Sequence, residues 1–78
     1  MDRAKFLEMC KRVAMIPNGI GGMKQVPPEL HLKYSGVTFY PVGYTLTFTD
    51  EGKPSHTAIL HDLKANSIIQ CDLLKVTE

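Results

Sequence analysis

The sequence predicts an α+β domain: one N-terminal helix ahead of a strongly bent antiparallel meander. Three observations carry that expectation. Phe6, Cys10, Val13 and Ala14 recur at i, i+4, i+7 and i+8, the spacing of one helix face. Tyr40, Val42, Tyr44, Leu46 and Phe48 recur at every second position with Thr45, Thr47 and Thr49 between them, the spacing of a half-buried strand. A segment with three glycines and three prolines in residues 17–30 separates the two patterns.

Each element follows in order. Asp2 is placed to cap a helix over about residues 3–16, with Met9 and Leu7 at the margins of its apolar face. Arg3, Lys5, Lys11 and Arg12 fall mostly on the other side. Pro17 disfavours helical backbone in the residue before it, so the helix stops there. Residues 17–33 read as a Gly/Pro-rich loop in which Pro28, Glu29 and Leu30 open a short helical turn. Residues 34–78 read as the meander. Val37 and Phe39 have the opposite parity to Tyr40 and its followers, so a bulge or a change of partner sheet near Pro41 is expected. Residues 50–53 make a hairpin loop, a second strand begins near His56, and residues 63–66 make the next turn, with Asn66 in a left-handed position. A third strand covers Ile69 to about Cys71. Small curved meanders of this kind close into an SH3-like barrel; the competing architecture is an open sheet with the helix across one face. The expected core joins Phe6, Leu46, Phe48, Leu60 and Ile69.

Composition bounds the function. A chain of 78 residues is one domain at most and buries a thin core. Nine Lys+Arg against eight Asp+Glu give a net charge of +1, which argues against a dedicated nucleic-acid backbone binder. The apolar fraction of 44% argues against disorder, and no apolar run reaches the ~20 residues of a membrane span. The charged N-terminus lacks the apolar core of a secretion signal, so the expected setting is the cytoplasm, with Cys10 and Cys71 as free thiols.

The residues 55–76, "SHTAILHDLKANSIIQCDLLKV", hold most of the groups that suggest chemistry. With the turn centred between Lys64 and Ala65, Leu60 faces Ile69 and Ala58 faces Cys71 on an apolar side. Ile59 faces Gln70, His61 faces Ile68 and Thr57 faces Asp72 on a mixed side. His56 and His61 differ in parity and point to opposite faces, so they do not converge on a metal. Neither a Cys–His pair nor a G-x-S-x-G serine is recognisable, and the reading is a non-enzymatic chain without metal or cofactor.

Three features remain as contact surfaces. Ile59, His61, Ile68 and Gln70 form a mixed apolar patch, suited to a protein partner or a second copy unless the helix covers it. Gly19, Gly21, Gly22 and Lys24 are a candidate anion contact, although glycines after a helix ordinarily serve termination. The basic helix side with Tyr34, Tyr40 and Tyr44 would suit single-stranded nucleic acid, against which stands the shared parity of Tyr40 and Tyr44 with core residues.

The stretch "HTAILHDLKANSI" and the opening "MDRAKFLEMC" resemble short uncharacterised open reading frames of phages and prophages of Gram-positive bacteria. The resemblance implies a small cytoplasmic accessory protein that works by binding, such as an inhibitor or modulator of a host protein, including a defence protein. The expectation is therefore a binding module, homo-oligomeric or docked on a protein. A small nucleic-acid-binding barrel is the alternative, together with a nucleotide-signal binder that uses the glycine loop.

Overall fold

The computed structural model describes residues 1–15 and 26–78. Among them the chain forms one α-helix, two 3₁₀ turns and one four-stranded antiparallel sheet curled into a half-barrel. The expected α+β class and bent meander are what the chain adopts. An SH3-like closure is not established. Among the described residues the first strand is tied to the C-terminal segment by a single-residue bridge, in which Lys33 and Thr77 exchange backbone hydrogen bonds of 2.7 and 3.0 Å.

Helix α1 spans Arg3–Ala14, and the Asp2 carboxylate accepts from the Lys5 amide at 3.1 Å, as the cap reading requires. The helix ends two residues short of the expected boundary, at the Met15 cap. Phe6 and Met9 are buried while Cys10 and Val13 are half-buried, so the stripe runs i, i+3, i+4, i+7 and Met9 belongs to its centre, not its margin. Ala14 is exposed.

After the 3₁₀ turn Pro28–Leu30 comes strand β1, Leu32–Tyr34, which begins two residues before the expected start of the meander. Strand β2 is Val37–Phe48, β3 is Pro54–Asp62 and β4 is Ile68–Asp72, in the spatial order β1-β2-β3-β4. The β3–β4 register is the expected one, with Leu60 opposite Ile69, Ala58 opposite Cys71, Ile59 opposite Gln70 and His61 opposite Ile68. Asn66 takes φ 52° in the turn, as expected. The expected bulge lies between Pro41 and Gly43, where the β2–β3 register shifts. A second 3₁₀ turn, Leu73–Lys75, leads to the Thr77 bridge.

The core is closed by residues from both halves of the chain: Phe6, Met9, Leu30, Leu32, Phe39, Ala58, Leu60, Leu73 and Val76. The predicted core needs correction at its other end. Phe6 and Leu60 are fully buried and Ile69 packs against the cluster, but Leu46 is 42% and Phe48 is 68% exposed. The reason is length. β1 pairs β2 only at residues 37–39 and β4 pairs β3 only at residues 57–61, so the outer half of the β2–β3 hairpin runs on beyond them as an arm. The domain is accordingly elongated, 46 × 24 × 19 Å.

Candidate functional site

The bulge at Val42 decides which groups meet. Without it, Tyr40 and Tyr44 would share a face; with it, they lie on opposite faces of β2. Each tyrosine then meets one histidine of β3, and the two pairs stand on opposite sides of the sheet.

On the outer face Tyr40 lies directly opposite His61. The Tyr40 hydroxyl bonds His61 Nδ1, the rings meet edge to face, and His61 Nε2 lies 2.8 Å from Asn66 Oδ1. The tautomer with its proton on Nε2 satisfies all three groups: Nε2 donates to Asn66 and Nδ1 accepts from the phenol. Burial raises the pKa of Tyr40 above the ordinary phenol value, which keeps it a donor. Asn66 holds its left-handed backbone and its side-chain bond together, so the network pins the β3–β4 turn to the middle of the sheet.

On the inner face Tyr44 bonds His56 Nδ1 and stacks on its ring. The Arg3 guanidinium lies 6.0 Å from the Tyr44 ring centroid, within cation–π range, which ties the start of α1 to the base of the arm. The third histidine, His31, bonds the Val26 carbonyl through Nε2 at 2.8 Å and braces the turn at Pro28–Leu30. Every histidine therefore has an internal structural partner.

Burial disfavours the thiolate form of both cysteines. Burial pushes Cys10 up to about 11, and it also raises Cys71, with Asp72 adding to the effect. Both cysteines are free. Among the described residues no three His, Cys, Asp or Glu side chains gather as a metal site would require. No described helix is long and apolar enough to cross a membrane.

Of the four residues expected as a partner surface, Ile68 is 64% exposed and Gln70 is exposed. Ile59 is half-buried and lies beside Gly43, where a Cβ would stand 3.3 Å from its Cδ1. His61 is only 9% exposed and engaged at both nitrogens, so it offers a partner little. The anion candidates Gly19, Gly21, Gly22 and Lys24 lie outside the described residues. On the basic helix side, Lys5 pairs with Glu78 at 2.5 Å and Arg12 with Glu29 at 3.6 Å, both in solvent. A groove of about 570 Å³ opens between the β1–β2 and β3–β4 turns. Among its polar walls Lys33 is held by Thr38, His31 by Val26 and Asp62 by its own turn.

That turn yields a pH expectation. The Asp62 carboxylate accepts from the amides of Lys64 at 2.8 Å and Ala65 at 3.1 Å, and these bonds hold its pKa below the usual value. A carboxylate lowered on folding stabilises above its unfolded pKa of about 4, and that contribution is lost as pH falls through the lower folded value. Asp62→Ala should lower the melting temperature at neutral pH and show a shallower acid limb than wild type. Melting curves across the acid range check this, and parallel limbs would show that Asp62 contributes nothing there.

No family model, curated protein or solved structure matches the chain. The fold and site together define a small α+β domain with a projecting two-stranded arm. The sequence reading missed the arm and both Tyr–His pairs. The pairs were within reach of it: the expected bulge, once placed at Val42, aligns Tyr40 with His61.

Proposed function

We propose that the chain is a non-enzymatic, cytoplasmic binding module that acts on a protein, in the manner of a phage accessory protein modulating a host or host-defence protein. One observation supports this best. Both histidines of β3 are engaged in internal hydrogen bonds with Tyr40, Tyr44 and Asn66, while large apolar side chains are left exposed on the arm at Leu46 and Phe48. Exposed apolar side chains grouped on one element mark a contact surface rather than a reaction centre.

The test is capture of bacterial lysate proteins on immobilised wild type and on Phe48→Lys, followed by measured affinity for any protein that distinguishes them. A partner held by wild type and lost by the variant is the expected result. Tight binding of single-stranded oligonucleotides, with affinity falling steeply as salt rises, would overturn the protein-binding reading in favour of nucleic acid.

A further inference from the structure

The arm carries more than apolar side chains; it carries an unpaired strand edge of a defined kind. Two hydrogen bonds fix which backbone groups face where. Thr49 N donates to Lys53 O, and Asp62 N donates to Ser67 O on the β4 side. Alternation along the strands then turns Lys53, Ser55, Thr57, Ile59 and His61 toward β2, and turns Tyr44, Leu46 and Phe48 away from β3. Among the described residues nothing pairs with β2 on that outward side beyond Phe39. The same three residues put their side chains on the inner face, where none is charged.

The prolines agree with this assignment. Pro54, opposite Phe48, needs no amide because that pair is not bonded across the hairpin. Pro41 points its missing amide to the open side and blunts the edge next to the core. Among the described residues the unpaired edge of β2 on the arm is thereby confined to Tyr44, Leu46 and Phe48; on the β3 side of the arm Pro54 supplies no amide, which leaves His56 as the outward donor there. The sheet's other open edge, β4, presents Ile68, Gln70 and Asp72, and the Asp72 carboxylate already caps the following turn at Leu74. A charge on an edge is a usual guard against pairing, and the arm edge has none.

We infer that the arm edge pairs with the arm of a second copy of this chain, antiparallel about a two-fold axis at Leu46. This deepens the binding reading above by naming an occupant for the arm. In that register Leu46 faces Leu46 of the other copy and Tyr44 faces Phe48, so each outward amide and carbonyl of the three residues finds a partner. The aromatic and leucine side chains of both copies then lie on one face of a continuous sheet. Charge agrees as well. The tip residue Asp50 of one copy runs past Tyr44 of the other, the ring over which Arg3 lies, while Glu51 stays paired with Lys53 in its own tip at 3.5 Å.

The experiment uses the full chain in sedimentation and in amide hydrogen exchange over a wide concentration range. Wild type should be dimeric, and the amides of Tyr44, Leu46 and Phe48 should gain protection as concentration rises. Those of Thr45 and Thr47, which bond β3, should be protected throughout. Leu46→Pro removes one outward amide that the fold does not use, and Phe48→Lys puts a charge on the edge at an exposed position; each should give a folded monomer. Ile68→Lys, on the other edge, should leave the dimer intact. Wild type monomeric at high concentration overturns the inference, and so does a dimer that Ile68→Lys dissociates but Phe48→Lys does not. Self-association is read on purified protein alone, so a lysate that yields no partner bears on the binding reading and not on this pairing.

Discussion

Leu60→Ala is expected to remove much of the chain's stability, lowering its melting temperature by roughly ten degrees or more and leaving it partly unfolded at room temperature where the loss reaches the upper end. Leu60 is fully buried near the C-terminal end of β3, between Pro41 and Ile69, where its side chain meets the core from which α1 is hung. Truncating such a leucine costs about 2–5 kcal/mol through lost transfer energy and the cavity left behind. A domain of this size has a total stability of only about 5 kcal/mol. Phe48→Ala removes a larger side chain in the same sheet, yet it should melt within a few degrees of wild type because most of Phe48 already faces solvent. Circular dichroism melts of the two variants decide the matter. Equal losses at a concentration where the chain is monomeric would mean that the arm is covered within the chain; a near-native Leu60→Ala would mean that the buried face has been misassigned.

The second large effect belongs to the Tyr40–His61–Asn66 network. Tyr40→Phe keeps the ring and its edge contact but withdraws the proton that His61 Nδ1 accepts. A buried acceptor left without a donor costs about 1–3 kcal/mol. His61→Leu leaves the phenol and Asn66 without their partner and should cost a similar amount. Once either is gone, removing the other should add little, so the double variant should be clearly more stable than the two single losses predict. Denaturant unfolding of the four proteins measures that coupling. Strictly additive losses would show that the two side chains contribute separately and that the network does not hold the turn.

Much of the fold was legible because local rules decide it. The Asp2 cap, the β3–β4 register, the left-handed Asn66 and the bulge each follow from a few neighbouring residues. The missed elements depend on distant ones. β1 is too short to show a period, and its outer side is satisfied by Thr77, 44 residues later. Leu30, Leu32, Leu73 and Val76 enter the core through that closure and not through any alternation. The arm failed for a different reason. Alternation at Tyr44, Leu46 and Phe48 says that these residues share a face; it does not say whether anything lies against that face. The same limit applied to the histidines. Parity rightly separated His56 from His61 but did not reveal that each had a tyrosine waiting across the hairpin.

The closing contacts have a consequence for how the chain reaches this fold. The Met1 amino group bonds the Leu73 carbonyl at 3.2 Å, Lys5 reaches Glu78, and Thr77 bonds Lys33. Nearly the whole length must therefore be brought around before the core is sealed. The equilibrium penalty for so large a loop is modest, since each doubling of length adds only about 0.6 kcal/mol. The kinetic penalty is greater, because contacts between remote segments form late and slow the search. The β2–β3 and β3–β4 hairpins have near neighbours to pair with and form first, while α1, with two buried residues on a short helix, has little to hold it until the C-terminal turn arrives. In the interval before closure the nascent sheet exposes Leu60 and Phe39 beside the arm, and that interval is when the chain is most prone to stick to its own kind in the wrong register.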